Sequence, residues 1–360
     1  MLSDRIVITG DLTRVNDNME MHQAPNITWF SKVFRPIFED LGCSVDTFGA
    51  TDDDFPANRF HKALYDGVGA STSIHEKWAA HYDTHLPLPA RILLLEAMGP
   101  AMFVLFEAPP SMLSAIDEAG HTYLNFRVHP LRFASDLIFA VKTNDKYIAR
   151  NLRRFTMRSD FVRREIDDCR KRWRGGENTL PRNSTVFMAQ TSQDGSLIEE
   201  GKFTRIDEFA EKLKKLVRAG KPIFYKRHPL ESNQKSFDFW LGTFPTTVEI
   251  FPDISSYELF SQSEHLNVIT ISSGSAYEAK LLGHSPTYLS SRYWGGRYYS
   301  DYTPITHEYW YPSFWESALT EKRVITSAIQ SFFGRGNADN ELPFVKDRLR
   351  SAINFEWSKR

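Results

Sequence analysis

The sequence has few cysteines and no long apolar run. Only Cys43 and Cys169 occur in the 360 residues, and they lack CxxC spacing. That argues against a disulfide framework and against a structural zinc site. No apolar stretch approaches the roughly 20 residues that cross a bilayer, and no signal peptide is recognisable at the start of the chain. We therefore expect a cytoplasmic protein in a reducing compartment.

The sequence also lacks an excess of charge of one sign. The formal net charge is −1, which gives no support to a nucleic-acid partner. The glycines do not form a GxGxxG pattern, so the dinucleotide-binding fingerprint is absent. The composition, 41% hydrophobic and 25% charged, is that of a globular protein. A chain of this length predicts two domains rather than one.

The order of predicted elements indicates an α/β protein. A buried strand at residues 5–11, an amphipathic helix at 29–41 and a strand at 44–49 form a βαβ unit. Further helices are predicted at 133–141, 320–333 and 344–353. The Gly-rich and Pro-containing stretch 175–183 is the best linker. We therefore predict two Rossmann-like domains, 1–180 and 181–340, with a C-terminal helix at 341–360 that packs back on the first.

Four predicted strand ends carry candidate chemistry, because ligands of open α/β sheets bind at the carboxyl ends of strands. The loop that begins at Gln190 contains Asp194 followed by Gly195, although Asp-Gly is more often simply a turn. The run Lys226, Arg227, His228 and Pro229 places two cations beside a histidine. Structural and functional roles for this run are about equally expected.

The other two strand ends carry hydroxyls and an acid. Ser272, Ser273 and Ser275 precede a predicted helix and suit a phosphate, helped by the helix dipole. Plain N-capping is the alternative, with Glu278 completing a capping box from Ser275, and Glu278 is also placed to bind a ribose. Glu107 ends a strand of the first domain, where a helix start is the competing explanation. Together these features predict an interdomain active site of the GT-B glycosyltransferase type.

Several short motifs resemble bacterial GT-B transferases that use CMP-activated acidic sugars. The sequence is most similar to the retaining β-Kdo transferases of capsule and lipopolysaccharide assembly, the KpsC and WbbB type, which are related to the bacterial sialyltransferases. The resemblance is carried by Gln190-x-x-x-Asp194-x-Ser196, Gly201-Lys202-Phe203, His228-Pro229, Val128-His129-Pro130-Leu131-Arg132-Phe133, Thr143-Asn144-Asp145, and Gly10-Asp11 with Asn26-Ile27-Thr28-Trp29.

The resemblance implies a role for each candidate residue. Asp194 is the nucleophile of a retaining reaction with CMP-β-Kdo, and Glu107 serves the acceptor as acid or base. No metal and no other cofactor is implied. The donor is bound by residues that follow the second-domain strands: Gln190, Ser196, Lys226, Arg227, His228, Ser272, Ser273, Ser275 and Glu278. Contacts to the acceptor or to the donor sugar are expected from His129, Arg132 and Asn144.

Two alternatives remain open at this point. One is an inverting transferase of CMP-sialic acid or a related nonulosonate, and the other is a sugar-nucleotide-binding GT-B protein without catalysis. The expected partners are a CMP-sugar and a glycan or glycolipid acceptor. Peripheral association with the inner membrane or with other polysaccharide-assembly modules is a further expectation.

Overall fold

The computed structural model describes residues 4–51, 54–69, 72–217, 221–231, 234–319 and 344–353. Its strands are β1 (Arg5–Gly10), β2 (Ser44–Thr47), β3 (Met102–Phe106), β4 (Tyr123–Val128), β5 (Phe139–Thr143), β6 (Ser184–Met188), β7 (Ile198–Glu199), β8 (Lys202–Phe203), β9 (Ile223–Lys226), β10 (Val248–Ile250), β11 (Leu266–Thr270), β12 (Ser285–Tyr288) and β13 (Thr303–Ile305).

The helices alternate with these strands along most of the chain. They are α1 (Ala24–Asp40), α2 (Ala57–Tyr65), α3 (Ile74–Ala80), α4 (Leu88–Met98), α5 (Pro110–Glu118), α6 (Lys146–Leu152), α7 (Ser159–Arg172), α8 (Ala210–Leu216), α9 (Lys235–Thr243), α10 (Ser256–Gln262), α11 (Gly274–Leu281), α12 (Pro312–Leu319) and α13 (Arg348–Ala352). No helix among the described residues is both long and apolar enough to span a bilayer.

The first sheet has the strand order β13-β5-β4-β3-β1-β2. Strands β1 to β4 are parallel, β5 runs antiparallel to β4, and the edge strand β13 pairs antiparallel with β5 and so runs in the same direction as β1 to β4. Alternate residues of the strands enter two separate cores, as the period of two in a strand requires. Phe30 and Trp315 lie in the core on one face, and Phe60 and Met112 lie in the core on the other. This sheet is therefore covered by helices on both faces.

The second sheet is parallel throughout, in the order β10-β9-β6-β11-β12. When the five strands are numbered by their order along the chain, they lie side by side as 3-2-1-4-5. This is the arrangement of doubly wound nucleotide-binding sheets. One of its faces packs Phe187, Tyr225 and Ile269 against helical residues that include Leu213 and Trp240. The predicted α/β class with parallel sheets is confirmed.

The chain divides into two compact units whose limits differ from the predicted domains. The first unit comprises the described residues of 1–129, 136–157 and 301–360, and the second comprises 130–135 and 158–300. Helix α7 belongs to the second unit because Glu165 accepts hydrogen bonds from Ser135, and Cys169 approaches Ser261. Strand β13 belongs to the first unit because it pairs with β5.

One predicted helix is a strand in the structure, and another lies outside the described residues. The helix predicted at 133–141 is wrong, since Phe139–Thr143 form strand β5 against β4; short apolar runs do not distinguish helix from strand by periodicity. The segment predicted at 320–333 lies outside the described residues. Near the C-terminus, Leu349 of α13 lies in a core of the first unit, and its N–H donates to Asp136 Oδ2 at 2.9 Å.

Candidate functional site

The candidate site lies at the carboxyl edge of the second sheet. Strands β9 and β10 lie on one side of β6, and β11 and β12 lie on the other. The chain thus reverses its direction of winding between β6 and β11. In open α/β sheets the crevice at such a switch point is where ligands bind. The loops after β6 and β11 contain the predicted Gln190, Asp194, Ser272 and Ser273.

Gln190 joins these two loops. Its Oε1 accepts the backbone N–H of Ser272 at 3.0 Å, and its Nε2 donates to Ser272 Oγ at 3.0 Å. Nε2 also lies 3.3 Å from Ser196 Oγ, which is 3.0 Å from Ser272 Oγ. The backbone donor fixes which end of the amide is the oxygen. Gln190 therefore sets the position of the loop of Asp194 relative to the serine turn.

Asp194 caps a short helical turn, Gly195–Leu197. Its Oδ1 accepts the N–H of Ser196 at 2.8 Å, and the residue is half-buried. Capping of this kind is a frequent structural role of aspartate. It also holds the carboxylate in one orientation beside the switch point, so the turn role and a chemical role are compatible.

His228 follows β9 and approaches the same loop. Its Nδ1 accepts the N–H of Leu230 at 3.1 Å, so the neutral ring carries its proton on Nε2. Burial lowers the pKa of His228, against the opposing effect of the Asp194 carboxylate. A hydrogen bond joins the loop of Asp194 to the loop of His228, since the N–H of Ser192 donates to Glu231 at 2.5 Å. His228 is therefore a neutral Nε2–H donor near pH 7.

The two cations before His228 are engaged elsewhere. Lys226 Nζ donates to the backbone oxygens of Phe251 at 2.7 Å and Pro252 at 3.1 Å, and burial lowers its pKa to about 8. Arg227 Nε donates to Glu249 Oε1 at 2.6 Å. Both side chains thus stabilise the neighbouring strand β10 and the loop after it. The predicted contact of these two cations with the CMP phosphate stays a prediction, and the charge of Lys226 helps to lower the pKa of the neighbouring His228.

The serine turn caps α11 in a different register from the predicted one. Ser273 is the N-cap, and its Oγ accepts the N–H of Ser275 at 3.3 Å and lies 2.9 Å from Ser275 Oγ. The capping box predicted from Ser275 to Glu278 is not formed. Glu278 is 4% exposed, and one of its oxygens accepts the N–H of Arg132 at 2.8 Å. Burial raises the pKa of Glu278 to about 7.

The first unit has a second switch point, between β1 and β3. Starting from β2, its strands are arranged 2-1-3-4-5, with β13 added beyond β5, and in the 2-1-3-4-5 order the ligand crevice lies between the first and third strands. Glu107 follows β3 there with a φ of 52°, a left-handed conformation that is uncommon outside glycine. Such residues cluster at functional sites because the surroundings must hold them in place. This position supports Glu107 as a functional candidate of the first unit.

Asp11 is a residue of the same edge to which the sequence analysis gave no role. It is 2% exposed at the end of β1, and its oxygens accept hydrogen bonds from Trp78 Nε1 at 3.0 Å and from the N–H of Thr13 at 2.8 Å. Burial raises its pKa. The sequence feature that could have identified this residue is the Gly10-Asp11 pair at the end of a predicted strand. The bonds to Asp11 hold the loop after β1 in shape.

His129 and Asn144 lie apart from each other in the first unit. His129, 1% exposed, follows β4, and its backbone N–H donates to Ile138 O at 2.7 Å. Asn144 follows β5, which runs antiparallel and so ends at the amino edge of the parallel strands. Its side chain accepts the N–H of Tyr123, the first residue of β4, and donates to Asp117. Asn144 therefore lies opposite the carboxyl edge, away from Glu107.

Comparison with known proteins gives distant similarities only. No protein-family model and no curated protein matches the chain. Among solved structures it is similar to Thermosulfurimonas dismutans KpsC, β-Kdo 2,7 transferase, with 14% identity and a TM-score of 0.35, over 55% of this chain and 68% of that chain. It is also similar to KpsC, β-Kdo 2,4 transferase, of the same organism, with 16% identity and a TM-score of 0.31, over 51% and 67%. A likeness at this level defines neither a shared fold nor a shared activity.

Proposed function

We propose that the chain is a glycosyltransferase of the GT-B type that moves Kdo from CMP-β-Kdo to a glycan or glycolipid acceptor with retention of configuration. The observation that carries this proposal is the switch point of the second sheet. There Gln190 joins the loop of Asp194 to the serine turn that caps α11. A carboxylate, hydroxyls and a helix N-terminus are thereby held at one edge of a nucleotide-binding type of sheet.

In this proposal the serine turn binds the phosphate of CMP. The hydroxyls of Ser272 and Ser273 and the amides at the start of α11 donate to the phosphate oxygens, assisted by the helix dipole. His228 adds the Nε2–H that its bond with Leu230 leaves available as a donor. These neutral donors stabilise the charge that develops on the departing CMP. The donor site described in this way uses protein groups alone.

Asp194 supplies the nucleophile. Retention normally requires two displacements, the first of which forms a covalent glycosyl-enzyme. An oxygen of Asp194 attacks the anomeric carbon of Kdo, and the bond to the phosphate oxygen of CMP breaks with its electron pair. An acceptor hydroxyl then attacks the same carbon, its proton passes to Glu107, and the Asp194 carboxylate is released. Each displacement inverts the centre, so the β configuration is retained.

The test is an assay of the full chain with CMP-Kdo and a panel of synthetic glycan acceptors, with CMP-sialic acid as a parallel donor. We expect CMP release that depends on the acceptor, and a product whose β-linked Kdo is identified by NMR. An inverted product would replace the retaining mechanism by a single displacement. Acceptor-dependent release only from CMP-sialic acid would change the donor. No release from either donor would contradict the proposal as a whole.

A further inference from the structure

A six-residue segment that is preceded and followed in the chain by residues of the first unit belongs to the second unit. The segment Pro130–Ser135 follows β4 but is part of the unit that contains β6 and β11. Buried acids hold it at both ends. Glu165 accepts from Ser135 N at 2.6 Å and from Ser135 Oγ at 2.5 Å, and Glu278 accepts from the N–H of Arg132. The segment is therefore a fixed part of the second unit.

The segment crosses the first turn of α11. A Cβ added to Gly274, the first residue of that helix, would lie 2.8 Å from Pro130 Cβ. Real Cβ atoms do not approach other carbons this closely, so glycine is required for this crossing. Pro130 consequently lies directly against the helix N-terminus that follows the serine turn. Arg132 is two residues further along the same segment.

Arg132 introduces a positive charge at this place. Its charge acts on Glu278, where it opposes the rise in pKa caused by burial. The same charge acts on His228, where it adds to the lowering of the pKa by burial. Arg132 is thus close to both groups, one on α11 and one after β9. The charge of Lys226 also acts on His228, but its ammonium group donates to the loop after β10, and Arg227 is bound to Glu249 of β10.

We propose that Arg132 is the phosphate-binding cation of the second unit and that Glu278 is its positioning residue. The proposal rests on the nucleotide site proposed above and names the charged group of that site. Guanidinium groups suit this task because their planar donors match two phosphate oxygens at once. Glu278 acts through Arg132, since its carboxylate binds the backbone N–H of that residue from a buried position.

Calorimetric titration of the full chain with CMP, cytidine and inorganic phosphate tests the role of Arg132. We expect Arg132→Gln to weaken CMP and phosphate binding on the order of tenfold to a hundredfold, the range for a hydrogen bond to a charged group. Cytidine affinity should not change. Arg163→Gln, which removes an exposed arginine of α7 in the same unit, is the matched control and should bind all three compounds like the wild type.

The outcomes separate this proposal from the proposed function. Equal CMP affinity in Arg132→Gln and wild type overturns the role of Arg132 and leaves the CMP site standing. Phosphate binding that depends on Arg132, in a protein that does not bind CMP, supports Arg132 and overturns the CMP donor. A wild-type chain that binds neither CMP nor phosphate overturns both.

The positioning role of Glu278 has its own readout. Because Arg132 lowers the pKa of His228, NMR titration of His228 should show a higher pKa in Arg132→Gln, and also in Glu278→Gln if the guanidinium then leaves its place. The double variant should bind CMP no more weakly than Arg132→Gln alone. Losses that add in the double variant, or a His228 pKa that Glu278→Gln does not change, would overturn the positioning role.

Discussion

Glu278 provides a quantitative prediction, because the structure keeps an acid in a buried position. Burial raises its pKa from 4.5 to about 7, and this difference corresponds to about 3 kcal/mol of folding free energy. The group is 4% exposed, so solvent screening does not reduce this value much. We predict that Glu278→Gln removes a pH-dependent destabilisation of this size, since glutamine has the shape of the protonated acid and carries no charge.

The sign follows from proton linkage. The folded protein holds the proton of Glu278 more tightly than the unfolded chain does. The stabilisation that this proton provides is complete below pH 4.5 and is lost as the pH rises through about 7. Wild type and Glu278→Gln should therefore have similar stabilities at pH 4.5. At pH 8 the variant should be the more stable protein.

Thermal unfolding at pH 4.5 and pH 8 measures the effect. For a unit of about 150 residues, about 3 kcal/mol corresponds to a rise in Tm of about 6 to 12 °C, which the variant should show at pH 8 relative to wild type. Glu264→Gln replaces an exposed acid of the same unit, whose partner Arg182 is also exposed, and is the control that should leave the pH dependence unchanged. A difference in Tm between Glu278→Gln and wild type that is the same at both pH values would refute the reasoning.

Three further predictions concern the other candidate residues. Gln190→Ala breaks the bonds that join the two loops, so CMP affinity should fall about tenfold while circular dichroism stays unchanged; wild-type affinity by calorimetry would contradict its positioning role. Inorganic phosphate should raise the pKa of His228 in an NMR titration, since a bound anion favours the imidazolium, and an unchanged pKa would remove His228 from the phosphate site. Glu107→Gln should abolish transfer from CMP-Kdo and keep CMP affinity, and full transfer would assign the acceptor proton to another group.

Much of the second unit could be predicted from the sequence. Apolar runs marked β6, β9 and β11, and the polar residues after each strand were the predicted candidates. Gln190, Asp194, His228 and the serine turn are indeed at one edge of one sheet. Local pattern is sufficient for this result, because parallel strands of a doubly wound sheet all end at the same edge.

The side chains of charged residues were less predictable. Lys226 and Arg227 looked like phosphate ligands because they precede His228, yet both bind strand β10 or the loop that follows it. The position of β10 beside β9 depends on pairing between distant segments, which periodicity does not reveal. Glu278 fits a capping box in the sequence, and only the three-dimensional course of Pro130–Ser135 provides the different partner it has.

Glu278 also illustrates how a residue of a binding site can lower the stability of the folded protein. A buried acid with a pKa near 7 destabilises the folded state at neutral pH. A glutamine or an apolar residue would avoid this, and stabilising changes at functional positions commonly reduce activity. If Glu278→Gln is more stable and also binds CMP more weakly, the two results together would show that this acid serves the site.

The most direct measurement for the central proposal is mass spectrometry of peptides from enzyme mixed with CMP-Kdo. Glu107→Gln is the suitable background, because slower transfer to the acceptor should allow the glycosyl-enzyme to accumulate. We predict a Kdo adduct on the peptide that contains Asp194, and neither adduct nor transfer in Asp194→Asn with its fold retained. An Asp194→Asn variant that transfers Kdo at the wild-type rate would contradict the account.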